Sequence, residues 1–215
     1  MQKYNKKQRN NFFTNLLIIL ILAASLYYFF YKQEQGTLEI NSLDQTLSIY
    51  IDNIQKEATT DINPQFKIKA GEHTIVAHKV DYWPWSKEIL IAAQERTLVN
   101  PFFVPQNTSG FIIQKEDSEY YKILALFQNQ LISEEALTKI SNIEIKNAIT
   151  ALDFYKNRED VILMSLADGV YALGIDYETE QNLQPIYKGD TPLFVKKDND
   201  SIYVLDNGNL MEVSY

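Results

Sequence analysis

Side chains that commonly carry catalysis or bind metals are few in this chain. There is no cysteine, and the two histidines are His73 and His78. Five residues apart on a predicted strand, they point to opposite faces and cannot share a metal ion. The sequence also lacks the Gly-x-Ser-x-Gly and Ser-x-x-Lys patterns of serine nucleophiles. We therefore predict no catalytic residue, no cofactor site, no metal site and no enzymatic activity.

Acidic residues are plentiful, but their spacing favours solvated charge over a catalytic pair. Glu134-Glu135 and Glu159-Asp160 are adjacent in the chain, and neighbours on a strand face opposite ways. Asp198-Asn199-Asp200 is similar to the start of a calcium loop but lacks the glycine and distal glutamate of that motif. We predict a turn there, with side chains bonded to their own backbone.

Tyr82, Trp83 and Trp85 surround Pro84 and give this segment the character of a binding site. Tyrosine and tryptophan combine a rigid apolar area with a polar tip, which suits glycan stacking or a protein contact. The alternative, which we favour, is that these residues seal the core where two β modules meet. Both tryptophans of the chain lie at that predicted boundary.

Charge divides the chain into two regions. Residues 1–35 carry five basic and one acidic residue, a net of +4, whereas residues 36–215 carry 15 basic and 27 acidic residues, a net of −12. An acidic surface repels the phosphate backbone, so nucleic acid is excluded as a partner. The absence of cysteine agrees with both extracytoplasmic and cytosolic locations.

Residues 12–31 form an uncharged run of 20 residues. As a helix this run rises ~30 Å, the thickness of the hydrocarbon core of a bilayer. Basic residues precede it, so the rule of positive charge inside predicts a cytoplasmic N-terminus and an extracytoplasmic C-terminal part. A cleaved signal peptide and a buried core helix are the alternatives. Cleavage near Ala23-Ala24-Ser25 would leave an exposed aromatic segment, and this favours an uncleaved single-pass anchor.

Beyond residue 36 the pattern alternates between polar and apolar residues, as is typical of strands. The stretches 37–41, 47–52 and 73–80 are predicted strands, and Ala70-Gly71-Glu72 is a predicted turn. One helix is expected outside the anchor, from Ser133 to Ile140, with Ser133 as its cap. The predicted fold class is therefore mainly β.

The first β region resembles a PEGA domain over residues 36–92. The matching positions are Gly36-x-Leu38-x-Ile40-x-Ser42, Ile49-Tyr50-Ile51-Asp52-Asn53, Ile68-x-Ala70-Gly71-Glu72-His73-Thr74-Ile75-Val76 and Lys79-x-x-Tyr82. Asn53 and Asp81 stand where the family usually has glycine, and Ala70 where it usually has proline. The resemblance implies a small β-sandwich on a prokaryotic surface protein, with no enzymatic activity of its own.

A faint repeat follows, with an offset of 40 residues. The segment 154–164 is similar to 194–204, and each is followed by a turn pair, Asp168-Gly169 or Asn207-Gly208, and a further strand. A weaker copy begins at Ile113 and continues with a predicted strand over 121–127. The period resembles that of β-propeller blades. Two clear copies cannot close a propeller, which leaves a truncated set of sheets, completion by another chain, or generic hairpin similarity.

These observations predict five regions: a cytoplasmic tail at 1–11, a transmembrane helix at 12–31, a PEGA-like β-sandwich at 36–95, a connector at 96–110 and a β-repeat domain at 111–215. The predicted function is a non-enzymatic, membrane-anchored module that binds or scaffolds in the cell envelope. Its partners would be the membrane and an envelope protein, a glycan or a second copy. A divergent hydrolase of envelope polymers with paired carboxylates, and an accessory subunit of a membrane assembly or sensing complex, are the alternatives.

Overall fold

A computed structural model describes residues 2–42, 47–56, 63–129, 131–175 and 183–215. The fold is mainly β. The elements, in chain order, are α1 Gln2–Gln33, β1 Gln35–Ile40, β2 Ser48–Ile51, β3 Ile54–Gln55, β4 Gln65–Lys69, β5 Gly71–His78, β6 Trp85–Ile91, β7 Arg96–Val99, β8 Ser109–Ile112, α2 Tyr120–Leu126, α3 Glu134–Lys139, β9 Ala151–Phe154, β10 Val161–Leu166, β11 Gly169–Gly174, β12 Gln184–Lys188, β13 Leu193–Lys196, β14 Ser201–Asp206 and β15 Asn209–Ser214.

The first helix, α1, has its described side chains between Thr14 and Phe29, and all of them are exposed. The predicted transmembrane span at 12–31 is therefore only partly covered by the described side chains. The side chains of the predicted tail at 1–11 lie outside the described residues. In the part of the chain that the structure describes, no helix combines the length and the apolar character that a membrane crossing requires.

Two sheets build the first β module. One has the strand order β4-β1-β7, in which β1 is antiparallel to β4 and parallel to β7. The other is antiparallel, with the order β3-β2-β5-β6. Their buried side chains belong to one core, in which Leu38 and Ile40 join Ile49, Ile75 and Ile91. The predicted small β structure is present, and β7 extends it into the predicted connector.

Tight turns shape this module at positions that usually require glycine. Asp52 and Asn53 have φ of 51° and 64°, as in the two-residue hairpin turn that matches strand twist. Asp81 has φ of 66°. Aspartate and asparagine tolerate this left-handed conformation better than other non-glycine residues. Asn53 and Asp81 are two of the positions where the resembled family usually has glycine.

The repeat appears as two antiparallel sheets of four strands. Their orders are β12-β11-β10-β9 and β13-β14-β15-β8. The hairpins β10–β11 and β14–β15 begin 40 residues apart, at Val161 and Ser201, as the sequence predicts. Asn207 and Gly208 both have positive φ and form the predicted turn. The first hairpin turns one residue earlier than predicted, at Ala167-Asp168, because Leu166 pairs with Gly169.

The prediction of a strand over 121–127 is wrong, since this segment forms α2. Tyr120 and Ile123 are buried three residues apart, and Leu124 and Phe127 pack against the same cluster. Apolar residues at this spacing share one face of a helix. The predicted third copy therefore does not form a sheet of its own, and β8 pairs instead with β15. No propeller is formed by the described residues, whose repeat strands make the two sheets given above.

Candidate functional site: the groove between the two modules

The three aromatic residues singled out in the sequence do not form one platform. Trp85 begins β6 and is 2% exposed within the core. Trp83 is 36% exposed, and its backbone N–H donates to the Val104 carbonyl over 2.9 Å. Tyr82 is half-buried and forms an isolated bridge with Pro105. The backbone of Tyr82 and Trp83 thus binds the connector, while the three aromatic side chains differ in how far they are buried.

An open groove of about 820 Å³ lies where the first β module, the connector and the loop after β9 meet. It is lined by Asn41, Ser42, Lys79, Tyr82, Asn100, Pro101, Phe102, Phe103, Tyr155, Lys156, Asn157, Arg158, Glu159 and Asp160. Of the three aromatic residues predicted as a binding site, Tyr82 is the one that reaches it. Aromatic, amide and charged side chains therefore share one concave surface.

Arg158 fixes one wall of the groove by binding the connector. Its guanidinium donates to the carbonyl oxygens of Pro101 and Asn100 over 2.7 and 2.9 Å. It also binds both carboxylate oxygens of Asp160, over 2.8 and 2.5 Å. The hydrogen bonds from Arg158 hold the pKa of the Asp160 carboxyl below its usual range. A planar guanidinium can meet all these acceptors at once because its donors form a rigid fork.

Gln184 binds the same connector further along the chain, at Phe102 and Val104. Its side-chain oxygen accepts from the Val104 N–H over 2.9 Å, and its side-chain nitrogen donates to the Phe102 carbonyl over 3.4 Å. Gln184 is 4% exposed. A buried amide that satisfies backbone groups in this way avoids the cost of unpaired polar atoms.

Tyr155 links the floor of the groove to the repeat sheets. Its hydroxyl donates to the Phe103 carbonyl over 3.0 Å, and its ring stacks on that of Tyr215 with centroids 5.4 Å apart. Burial raises the pKa of the Tyr155 hydroxyl. The phenol is therefore neutral at physiological pH, so it acts as a hydrogen-bond donor and not as a base.

Lysines lie against the aromatic rings along the groove. Lys79 Nζ is 4.0 Å from the centroid of the Tyr82 ring, and this ring contacts Phe103 edge-on at 6.4 Å. Lys156 Nζ lies 5.5 Å from the Tyr155 ring and 3.2 Å from an Asp200 carboxylate oxygen. Such positions favour cation–π attraction. Together with the amide groups, these side chains could hold a polar ligand by stacking and hydrogen bonding.

A second ionic pair lies in the first β module, away from the groove. His73 Nδ1 is 2.6 Å from an Asp52 carboxylate oxygen, and His73 Nε2 is 2.7 Å from the Lys69 carbonyl oxygen. Both neighbours are acceptors, so this arrangement fits the doubly protonated ring. Burial lowers the pKa of His73, but the bonds to Asp52 and Lys69 outweigh burial and raise it overall. The bond from His73 lowers the pKa of Asp52.

Several of the carboxylates singled out in the sequence have structural roles. Glu134 and Glu135 lie in the first turn of α3, where Ser133 caps the helix as predicted. Asp198 Oδ1 accepts from the Asp200 N–H over 2.9 Å and from the Ser201 hydroxyl over 2.8 Å, which is the predicted self-bonded turn. Within the described ranges, no three side chains of the His, Asp and Glu types come together as metal ligands would.

Sequence reasoning missed Arg158, Gln184 and Tyr155, which join the modules. Their partners lie 57, 80 or 82, and 52 residues away in the chain. The one available signal was the rarity of arginine, since the chain has Arg9, Arg96 and Arg158 alone.

Comparison of the sequence with protein-family models gives no match, and comparison with curated proteins gives none either. The resemblance to a PEGA domain therefore stays a prediction.

Proposed function

We propose that this protein is a membrane-anchored, extracytoplasmic module that binds or scaffolds components of the cell envelope. The observation that supports this function best is the fixed connector: Arg158, Gln184 and Tyr155 each bond to its backbone. A linker held by three side chains keeps the two β modules in one relative orientation. A scaffold needs this property, because a partner then meets one surface of constant shape.

The anchor in this proposal is the run at residues 12–31. Its support is the uncharged sequence, the preceding basic residues and the helical conformation of α1. The described side chains from Thr14 to Phe29 are exposed and carry no charge. A hydrocarbon environment is the one in which such a surface is stable without a protein partner.

The first β module acts in this proposal as a PEGA-like spacer between the bilayer and the repeat domain. The resemblance gains support from Asn53 and Asp81, whose positive φ values match the glycines usual at those positions. The groove above this spacer is the proposed binding surface, and its ligand is an envelope protein or glycan.

Membrane attachment is tested with the full chain carrying a C-terminal epitope tag in bacterial cells. The chain should remain in the membrane pellet after carbonate extraction. Protease added to cells whose outer barrier has been made permeable should remove the tag. A matched variant with Leu17 and Leu20 changed to Lys should leave the pellet, because two charges at the centre of the run oppose insertion. Extraction of the unmodified chain by carbonate, or a protected tag, would contradict the proposal.

Binding through the groove is tested by comparing two tyrosines. Tyr82→Ala removes an aromatic ring from the groove, and Tyr121→Ala removes one that is 69% exposed on α2. Each full-length variant is used as bait in an envelope extract beside the unmodified chain. The partner recovered with the unmodified chain should be lost with Tyr82→Ala and retained with Tyr121→Ala. Equal recovery with both variants would show that the groove is not the binding surface.

A further inference from the structure

The sheets differ in how their edge strands are protected against pairing with another chain. At the edge β4, Lys67 and Lys69 place charge on the strand. At the edge β12, Pro185 removes a donor and Thr108 binds the Ile186 carbonyl over 3.0 Å. The outer side of β9 is paired with residues 131–133, through Leu152 N–H to the Leu131 carbonyl and Ser133 N–H to the Leu152 carbonyl. Charge, proline and coverage are the usual means of blocking an edge.

Among the residues that the structure describes, the edge strand β8 has none of these protections. Its four residues, Ser109-Gly110-Phe111-Ile112, are all exposed and include no charge and no proline. Phe111 is 60% exposed and Ile112 is 56% exposed. In a chain of net charge −8, an uncharged apolar edge is a place where two copies can approach without strong repulsion.

The hydrogen bond just after the C-terminal end of β8 shows which backbone groups of this strand face β15. The N–H of Ile113 donates to the Leu210 carbonyl in β15, over 2.8 Å. Backbone groups of alternate residues on an antiparallel strand point to opposite sides. Ser109 and Phe111 therefore bond toward β15, while the N–H and C=O groups of Gly110 and Ile112 point away from the sheet.

We propose that β8 pairs with β8 of a second copy of this chain in an antiparallel, two-fold symmetric contact. The outward groups of Gly110 then bond to those of the partner's Ile112, and the reverse pair follows by symmetry. This register places Phe111 opposite the partner's Phe111, in a pair without backbone bonds between them. The two sheets join into one continuous sheet of about eight strands.

The sequence of β8 is complementary to itself in this register. Gly110, with no side chain, lies opposite the large Ile112, while the two phenylalanines form an aromatic cross-strand pair, which is favourable. Binding of a different protein to β8 would not require the sequence of β8 to be complementary to itself. Because four residues a side make a small contact, the dimer is expected to be weak and reversible.

The absence of cysteine in the chain allows a direct test of this register. Single-cysteine variants of the full chain, Phe111→Cys, Ile112→Cys and Tyr121→Cys, are oxidised mildly in detergent solution. Residue 111 lies on the two-fold axis, where directly opposed Cα atoms are ~4.5 Å apart, within the range for a disulfide. Residue 112 and residue 112 of the second copy are diagonal neighbours, ~7–8 Å apart, which is too far for a disulfide.

A disulfide-linked species of twice the chain mass is expected from Phe111→Cys, with at least tenfold less from Ile112→Cys and Tyr121→Cys. Equal cross-linking of all three variants would indicate random collision and overturn the proposal. Absence of the Phe111→Cys dimer, or a disulfide to a different protein when oxidation is done in membranes, would overturn it as well.

Sedimentation of the full chain without cysteine gives a second measurement that retains Phe111. A dimer fraction that rises with protein concentration is expected, and Phe111→Lys should abolish it while Tyr121→Lys leaves it unchanged. A purely monomeric chain at all concentrations, or equal effects of the two lysine variants, would contradict self-pairing.

Discussion

The two repeat sheets have the same three-strand unit but different surroundings. In the first sheet, every residue of β10 and β11 is buried, so both faces are covered. In the second, β14 and β15 alternate between buried and partly exposed residues. One face of the second sheet packs in the main core with Ile202 and Val204. The other contacts α2 in a small separate cluster that includes Leu210.

The fourth strand of each sheet also comes from a different place. The first sheet is completed by β12, which follows it in the chain, and the second by β8, which precedes the first sheet. The comparison shows that the repeat encodes the three-strand unit, whereas neighbours in space decide what covers its faces and edges. In the second sheet, α2 covers one face and the uncharged strand β8 forms one edge.

The largest difference between the sheets is expected at Leu163 and Tyr203, which are 40 residues apart at equivalent positions. Leu163 is fully buried, while Tyr203 is half-buried beside α2. Leu163→Ala should lower the free energy of unfolding by ~2–5 kcal/mol through lost burial and a cavity. Tyr203→Ala should cost less than half of that, measured by urea denaturation followed by circular dichroism. Equal losses would mean that α2 closes the second sheet as completely as the core closes the first.

The strand units were predictable from sequence because they depend on short-range signals. Asn207-Gly208 between two apolar runs predicts a hairpin, and two residues with positive φ are found there. Residues 121–127 were misassigned because Ile123, Leu124 and Phe127 are as apolar as a strand would require. Their spacing indicates a helix, and the expectation of a third repeat copy outweighed it.

The groove could not be predicted in the same way, because its walls depend on contacts distant in sequence. Arg158 binds a carbonyl 57 residues away, and no local pattern encodes such a pair. Trp85 was grouped with Tyr82 and Trp83 by proximity in the chain. As the first residue of β6, it faces the core, whereas Tyr82 forms an isolated bridge with Pro105 and Trp83 lies outside any strand or turn.

The loops after the first strand of each copy offer the next test, at Arg158 and Asp198. These residues are 40 apart, but Arg158 binds the connector, whereas Asp198 binds its own turn. Arg158→Ala should lower stability by ~1–3 kcal/mol, since charged hydrogen bonds are lost and Asp160 loses its partner. Limited proteolysis should cut the connector at 100–108 faster. Asp198→Ala should leave that rate unchanged, and Arg158→Lys should restore it only in part because lysine lacks the fork.

Faster cleavage of the connector in Asp198→Ala as well would mean that the two loops act together, not separately. An unchanged cleavage rate in Arg158→Ala would show that Gln184 and Tyr155 hold the connector without the arginine. Either result would weaken the argument for a single fixed orientation of the modules.

A smaller difference in stability is expected between variants of the two stacked tyrosines, Tyr155 and Tyr215. The Tyr155 hydroxyl binds the Phe103 carbonyl, whereas the buried Tyr215 hydroxyl has no partner among the described residues. Tyr155→Phe should lower the free energy of unfolding by ~1 kcal/mol, because the carbonyl loses its donor. Tyr215→Phe should be neutral or slightly stabilising, since it removes an unpaired polar group. Thermal unfolding of both variants measures the difference, and an equal loss in both would indicate a partner for Tyr215.

The smallest expected effect is a pH dependence of stability in the first β module, where both histidines of the chain lie. The folded pKa of His73 is raised above its usual 6.5. Its contribution to stability is therefore complete below ~6.5 and lost as the pH rises through the folded pKa. The pKa of Asp52 is lowered from 3.8, so its contribution is present above that value and lost as the pH falls through the folded pKa.

The pair should therefore stabilise the module most between these two limits, by less than ~1 kcal/mol because Asp52 is 48% exposed. His73→Gln should reduce the fall in melting temperature between pH 5.5 and pH 8.5, whereas the exposed His78→Gln should leave it unchanged. Nuclear magnetic resonance of the His73 ring protons, assigned with the His78 variant, should show titration above 6.5. Titration below 6.5, or the same fall in melting temperature in His73→Gln, would place the pH dependence outside this pair.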